Sequence, residues 1–305
     1  MLKKVLDTIK NLIKNIIIII PFVLVVLILN NGVYENTIKE KNKMINQSKM
    51  IIETCEKNNL DDPLCENIKK VDIYNYKYGS SIVIFSNSLS NNIYMRNLDD
   101  YFPLMIFLLC GIGSFNIIKS GIYKYILQRK KYKNFIIKEL LKSYTKPILL
   151  SLTFIIFIIM CVVMADLPFG YIQMYGDTKP VLDEFFAKFN YSIYFVFILN
   201  IILYSIFLSN VFWFFAKSGY NFILTIIESF VFVKIFNIIC TTISPIFSFF
   251  NYDIANVLST SIISNTLAVS QLVSIVYMLL LVISSYIALF YRYKDKESLV
   301  MSCEK

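Results

Sequence analysis

Two charged residues of opposite sign lie inside one strongly apolar stretch of the chain. Glu228 and Lys234 both fall within Phe222–Thr242, and near the middle of a bilayer each would cost about 2.5–3.5 kcal/mol unless paired or hydrated. They are six positions apart in the sequence, which places them about 120° apart on a helix and excludes an (i, i+4) ion pair. With Asn200 of the preceding apolar stretch, they are candidates for a polar translocation path. The alternatives are contacts to neighbouring helices or, for Glu228, a place near the inner headgroups.

Four neutral polar residues interrupt the apolar stretch that precedes Glu228. Polar groups between membrane helices commonly form interhelical hydrogen bonds worth under about 1 kcal/mol each. We therefore predict such bonds for them, with ligand contact as the alternative. The four residues are Asn200, Ser205, Ser209 and Asn210.

Several chemistries are excluded by the residues that the chain lacks. It contains no His, which removes His-based triads, His proton relays and the usual His-containing metal sites. Its six Cys include no C-x-x-C pair, and no two of its eight Gly are spaced as a P-loop requires. We therefore predict no catalytic residues, no metal site and no ATP hydrolysis by the chain itself.

The elements that must position these residues are membrane helices. The chain of 305 residues is 57% hydrophobic with a mean hydropathy of +0.61, which average soluble domains do not reach. Six apolar runs approach the roughly 20 residues that a spanning helix needs. The predicted spans are Asn15–Asn31, Tyr101–Ile118, Ile148–Ala165, Ile193–Ala216, Phe222–Thr242 and Val269–Phe290.

One strongly basic stretch, Lys119–Lys146, joins the second and third predicted spans. It carries one acid, Glu139, and nine basic residues: Lys119, Lys124, Arg129, Lys130, Lys131, Lys133, Lys138, Lys142 and Lys146. Basic loops stay on the cytoplasmic side of a membrane. Apolar residues at helical spacing predict an amphipathic helix at the inner surface, although a signal for topology and binding of anionic lipid headgroups also explain the charge.

The first hundred residues divide into two predicted regions. Residues 1–32 form a basic lead-in and the first span, an uncleaved anchor rather than a signal peptide, because no small-x-small cleavage site follows. Residues 33–100 are polar, near neutral and long, which predicts a small external α+β domain. Its helix would cover Thr37–Lys57. Cys55 and Cys65 would form a disulfide there, the alternative being two free thiols.

Local signals refine the remaining region, 101–305. Gly111, Gly113 and Ser114 would let another helix approach the second span closely, while Pro147 would open the third. Trp213 and Lys217 predict an interfacial anchor at the inner end of the fourth span.

The segment Ser244–Ala268 carries one charge, Asp253, and is too apolar for an ordinary external loop. Pro245 and Asn251 would break it into a re-entrant pair of half-helices, the alternative being a long, tilted fifth span. The fold prediction is an all-α polytopic protein of the plasma membrane with six spans, a re-entrant segment before the last, and both termini cytoplasmic.

This architecture resembles the membrane subunit of exporter-type ATP-binding cassette transporters. That family has a lead-in helix, a large external segment, a cytoplasmic coupling helix and re-entrant helices at corresponding places. The local pattern is Ser120-Gly121, then Ile126-Leu127, Arg129-Lys130-Lys131-Tyr132 and Lys138. The chain departs from it where Lys119 and Ser120 stand in place of an acid, and where a Pro after the hydrophobic pair is missing.

The resemblance implies that the basic stretch couples the chain to a separate ATPase. The residues that would do so are Gly121, Tyr125, Ile126, Leu127, Arg129, Lys130, Lys131 and Tyr132. It implies a cassette ATPase partner holding ATP and Mg, a second copy of the chain or a related permease, the lipid bilayer and no nucleic acid. The exported substrate would be amphiphilic: a peptide, an antibiotic or a lipid. The rival hypothesis is a membrane-anchored sensor or immunity-type protein that captures a ligand with residues 33–100.

Overall fold

The structure is a computed structural model of the chain. It describes residues 101–111, 115, 132–164, 192–217, 221–259 and 271–294, together with 19–24, 27 and ten positions between 38 and 57. Those ten positions are helical, in agreement with the helix predicted over Thr37–Lys57. The two strands that the sequence predicts for the external domain, Ser81–Phe85 and Asn92–Met95, and most of its remaining residues lie outside the described ranges.

Six helices make up the described part beyond residue 100. They are α1 (Tyr101–Gly111), α2 (Tyr132–Met164), α3 (Ser192–Ala216), α4 (Phe222–Ser248), α5 (Tyr252–Ser259) and α6 (Gln271–Arg292). No strand occurs among the described residues, so the all-α prediction is confirmed for them. Among the described residues, three stretches are long and apolar enough to cross a membrane: Phe195–Ala216, Phe222–Ser248 and Leu272–Arg292.

Helix α3 lies at the centre of the bundle. It carries no charged residue, and 72% of its most apolar stretch is buried, as expected of a helix that is apolar on every side. The ring of Phe102 on α1 stacks on Tyr204 at 6.2 Å, and Phe107 stacks on Phe212 at 6.3 Å. The other helices therefore pack around α3.

The helices around α3 alternate in direction. Helices α1 and α6 run parallel to α3, whereas α2 and α4 run antiparallel to it. The contacts that show this are Phe102–Tyr204 and Cys110–Ser209 for α1, Ser143–Trp213 and Ser151–Ser205 for α2, Phe222–Phe212 and Phe236–Phe207 for α4, and Ser274–Asn200 and Ser285–Asn210 for α6. Each helix thus runs opposite to its neighbour in the chain, apart from the short α5.

Helix α2 is longer than the sequence predicts. It runs unbroken for 33 residues from Tyr132 to Met164 and includes Pro147 in its interior, so no helix starts at Pro147, the residue predicted to open the third span. A proline removes one backbone donor, a loss that membrane helices tolerate when hydroxyl groups and neighbouring helices compensate. The carbonyl that Pro147 leaves without its helical donor is that of Ser143, whereas the Ser151 hydroxyl donates to Pro147 O at 3.0 Å.

Helices α4 and α5 form a hairpin. The predicted break at Asn251 is confirmed, and its Oδ1 accepts the Ile254 N–H at 3.3 Å, as at a helix N-terminus. The predicted break at Pro245 is wrong, because α4 continues through this residue to Ser248. Helix α5 packs against α4 where Ser244 Oγ donates to Ala255 O at 2.7 Å.

Gly111 confirms the prediction of a close helix approach by the second span. A Cβ at this position would lie 1.8 Å from Cε2 of Phe222 on α4, so any side chain would displace the ring. That ring packs at 6.2 Å against Phe212 on the central helix. Glycine therefore allows α1 and the start of α4 to meet beside α3. Gly113 and Ser114 lie outside the described residues.

Candidate functional site

The three residues predicted for a polar path lie on two helices. Asn200 is 1% exposed on α3, and its Nδ2 donates to Ser274 Oγ of α6 at 2.6 Å. Its Oδ1 has no hydrogen-bond partner in the described part of the chain. Glu228 and Lys234 are half-buried on α4, where Lys234 Nζ lies 5.4 Å from the ring centroid of Phe230, one turn earlier. Their role in a translocation path stays a prediction.

The polar residues of α3 form a line of hydrogen bonds to three neighbouring helices. The bonds join Asn200 to Ser274, Ser205 to Ser151 (2.5 Å), Ser209 to Cys110 (3.1 Å), Asn210 to both Tyr144 and Ser285 (2.9 Å for the latter), and Trp213 to Ser143 (2.7 Å). The prediction of interhelical hydrogen bonds is confirmed for all four polar residues named from the sequence. These bonds join neutral side chains of different helices, so they fix the positions of the helices.

Asn210 connects three helices. Its Oδ1 accepts a hydrogen bond from Tyr144 OH of α2, and its Nδ2 donates to Ser285 Oγ of α6. The partners Ser143, Tyr144 and Ser285 were not singled out from the sequence. The sequence does contain one signal for a serine face on α6. Ser274 and Ser285 are eleven residues apart, about three full helical turns, so both lie on the same face.

Trp213 belongs to the core and not to the lipid-facing surface. It is 1% exposed, its Nε1 donates to Ser143, and its ring meets that of Tyr293 edge-on at 6.3 Å. The prediction that Trp213 is an interfacial anchor is therefore wrong. A buried indole needs an acceptor for its N–H, and Ser143 on the neighbouring helix supplies one.

The last residues of α3 and α6 are joined at one end of the bundle. Lys217 Nζ donates to Arg292 O and lies 5.5 Å from the ring centroid of Tyr293. Tyr293 OH donates in return to Trp213 O at 2.8 Å. Helix α2 begins at this same end, since Ser143 bonds to Trp213. We call this the basic end, because it gathers Lys138, Lys142, Lys217, Arg292 and Lys294.

Most residues implied in coupling to an ATPase lie outside the described residues. This holds for Gly121, Tyr125, Ile126, Leu127, Arg129, Lys130 and Lys131, whereas Tyr132 is the first residue of α2. The part of the basic stretch that is described is helical and amphipathic: Phe135, Ile136 and Leu140 are buried, and Lys138 and Lys142 are exposed. Cys55 and Cys65 also lie outside the described residues, so their disulfide stays a prediction.

Comparison with known proteins gives no relative. No family model matches the chain, and no match is found among curated proteins or among solved structures. The alternating helices, the basic end and the α4–α5 hairpin are therefore the observations that bear on function.

Proposed function

We propose that the chain is the membrane permease subunit of an ATP-binding cassette exporter. In this proposal the chain crosses the plasma membrane six times, with both termini cytoplasmic, and moves an amphiphilic substrate. A separate cassette ATPase supplies the energy. A second copy of the chain, or a related permease, completes the pathway.

The observation that carries the proposal is the continuity of α2. This helix starts inside the basic stretch and extends through 33 residues, about 50 Å at the rise of an α-helix. It is fastened to the central helix through Ser143, Tyr144 and Ser151. A displacement at its start would therefore reach the membrane interior through one rigid element, as coupling to an external motor requires.

The alternating helix directions support six spans. Helices α1, α2, α3, α4 and α6 correspond to the second to sixth predicted spans, and each runs opposite to the one before it. Basic residues concentrate at the end where α2 begins and where α3 and α6 finish. By the positive-inside rule that end faces the cytoplasm.

The hairpin supports the re-entrant segment of the proposal. It lies at the far end of α4, about 40 Å from the basic end for a helix of 27 residues. At its tip, the side chains of Phe249 and Phe250 are 88% and 82% exposed. An exposed turn at that end suits the outer surface of the membrane, because lipid-exposed irregular backbone does not occur within the hydrocarbon region.

Co-purification tests the proposal. The tagged chain is co-expressed with a candidate cassette ATPase, and Arg129, Lys130 and Lys131 are replaced together by Gln. We expect the triple variant to lose the ATPase and its stimulation by the chain, because the charged contact surface is removed. Replacement of Lys294 and Lys296 by Gln is the matched control. Unchanged association in the triple variant, or labelling of a cysteine at position 130 from outside intact cells, would contradict the proposal.

A further inference from the structure

A cavity of about 240 Å³ lies between α3, α4 and α6. Five phenylalanine rings line it and touch in sequence: Phe214–Phe215 at 5.5 Å, Phe215–Phe232 at 5.6 Å, Phe232–Phe236 at 6.4 Å and Phe236–Phe207 at 6.1 Å between ring centroids. The first two belong to the last turn of α3, beside the basic end. The cavity therefore has an aromatic wall and lies in the basic half of the bundle.

Apart from Leu281, the wall formed by α6 is made of small side chains. Because Ser284, Ser285 and Ala288 are short, they do not reach the rings of α3 and α4, and the space between them stays empty. The polar groups nearby are already bonded: Asn210 donates to Ser285, which lies 2.9 Å from Val282 O, and Ser284 donates to Leu281 O. A ligand in this cavity therefore meets an essentially apolar surface.

The cavity opens between α4 and α6. Phe232, which lines it, is 41% exposed, and Ser284 and Ala288 are exposed on the facing side. These two helices are also the least buried of the apolar helices, with 17% and 22% of their most apolar stretches buried, against 72% for α3. In a bilayer such a mouth faces acyl chains, so an apolar ligand can enter sideways.

A cation lies just beyond the basic end of this cavity, outside its lining. Arg292 is four residues beyond Ala288 and so on the same face of α6, one turn further along. Its guanidinium carbon lies 5.1 Å from the ring centroid of Phe214, a lining residue. Its Nε is shielded from solvent and has no hydrogen-bond partner among the described residues. A donor remains there for an anionic group.

We propose that this cavity binds an anionic amphiphile, with one acyl chain along the phenylalanine rings and a carboxylate or phosphate headgroup on Arg292. The volume is slightly below that of pockets for drug-sized ligands, about 300–1,000 Å³, which suits a single chain better than a bulky ring system. The ligand is either a free single-chain acid or a bilayer phospholipid. Binding needs no ATPase, so a negative binding result would reject this site without bearing on the proposed function.

Photolabelling of the full chain tests the site. The chain is placed in nanodiscs of phosphatidylcholine with diazirine-bearing dodecanoate, or with the uncharged dodecanol analogue at equal mole fraction. Labelled peptides are located by mass spectrometry. We expect dodecanoate to label peptides of α3, α4 and α6. The variant Arg292→Gln should lower this labelling about tenfold, because a charge-assisted contact is lost, and should leave labelling by dodecanol unchanged.

Two further variants control this result. Lys142→Gln removes another exposed cation at the same end and should leave labelling by dodecanoate unchanged. Ala288→Phe fills the mouth of the cavity at an exposed position and should abolish labelling by both probes. Equal labelling of the Arg292→Gln variant and the wild type, or of the Ala288→Phe variant and the wild type, would overturn the proposal.

The composition of the nanodisc identifies the source of the ligand. Nanodiscs containing phosphatidylglycerol compete with dodecanoate if the natural ligand is an anionic phospholipid. Labelling that is insensitive to phosphatidylglycerol but displaced by unlabelled dodecanoate assigns a free single-chain acid. Displacement by neither would show that labelling is not saturable, and the site would be rejected.

Discussion

Helices α3 and α4 are both apolar enough to cross a membrane, yet they are held in different ways. In α3 the most apolar stretch is 72% buried, and its polar side chains bond to other helices. In α4 the corresponding share is 17%, and the hydroxyls of Thr225, Ser229, Thr241 and Thr242 donate to carbonyls one turn earlier in α4 or at its N-cap. Ser244 of α4 also bonds to α5, and Ser205 and Ser209 of α3 also donate to carbonyls one turn earlier in α3. Hydropathy does not distinguish a central helix from a peripheral one, whereas the share of polar side chains that bond to other helices does.

The two helices should differ in how easily they can shift against their neighbours. Hydrogen bonds have preferred geometries, so α3 is fixed to α2 and α6 in one register. Helix α4 meets α3 mainly through aromatic contacts such as Phe207–Phe236 and Phe212–Phe222, and apolar contacts are non-directional. If the chain works as a permease, we expect α4 to shift against α3 with few hydrogen bonds broken.

The largest expected effect follows from Trp213, which closes the basic end of α3. Its replacement by Ala removes a fully buried ring and its bond to Ser143. We expect the free energy of unfolding to fall by about 3–5 kcal/mol, the range for large aromatic residues replaced by Ala in a core. The measurement is unfolding by SDS in mixed micelles, followed by far-ultraviolet circular dichroism.

Trp213→Phe is the matched control for this experiment. It keeps most of the ring volume and removes only the N–H donor, so its loss should be clearly smaller. A loss below about 1 kcal/mol for Trp213→Ala would show that α3 is not fixed at this end. Helix α3 would then be held no more firmly than α4.

A smaller effect is expected at Asn210, which bonds to α2 and α6 at once. Asn210→Leu leaves Tyr144 OH and Ser285 Oγ without their interhelical partner. We expect a loss of about 1–3 kcal/mol, the cost of leaving buried polar groups unsatisfied. A double-mutant cycle with Ser285→Ala isolates the single bond, which should contribute about 0.6 kcal/mol, the average measured between membrane helices. Additive losses would mean that Asn210 and Ser285 do not interact.

Some of this architecture is readable from the sequence because its signal is local. The apolar runs predict α3, α4 and α6, and Asn251 predicts the turn before α5. The polar residues of α3 were expected to join helices, because an unpaired polar group is costly away from water. Pro147 and Pro245 both lie inside continuous helices, because membrane helices tolerate a proline that a rule based on local sequence reads as a boundary.

The cavity and its cation were not predicted, because they depend on tertiary packing. Arg292 looks in the sequence like one of several basic residues after the last span. Only the parallel arrangement of α3 and α6 brings its guanidinium over Phe214. Trp213 was misplaced for a similar reason: a Trp next to a Lys is typical of an interface, and its acceptor Ser143 lies 70 residues away in the chain.

The smallest effect is expected for Glu228, the acidic residue inside α4. It lies on the second turn of α4, at the basic end, where its carboxylate can reach the headgroups and water, so Glu228→Gln should change the free energy of unfolding by no more than about 0.5 kcal/mol. Ser229→Leu is the control, because Ser229 is fully buried and overpacking costs about 1–3 kcal/mol. If Glu228→Gln costs as much as Asn210→Leu, then a charged contact fixes α4 as firmly as hydrogen bonds fix α3. If the small value is found together with a changed rate of substrate movement, Glu228 acts on the path and not on the fold.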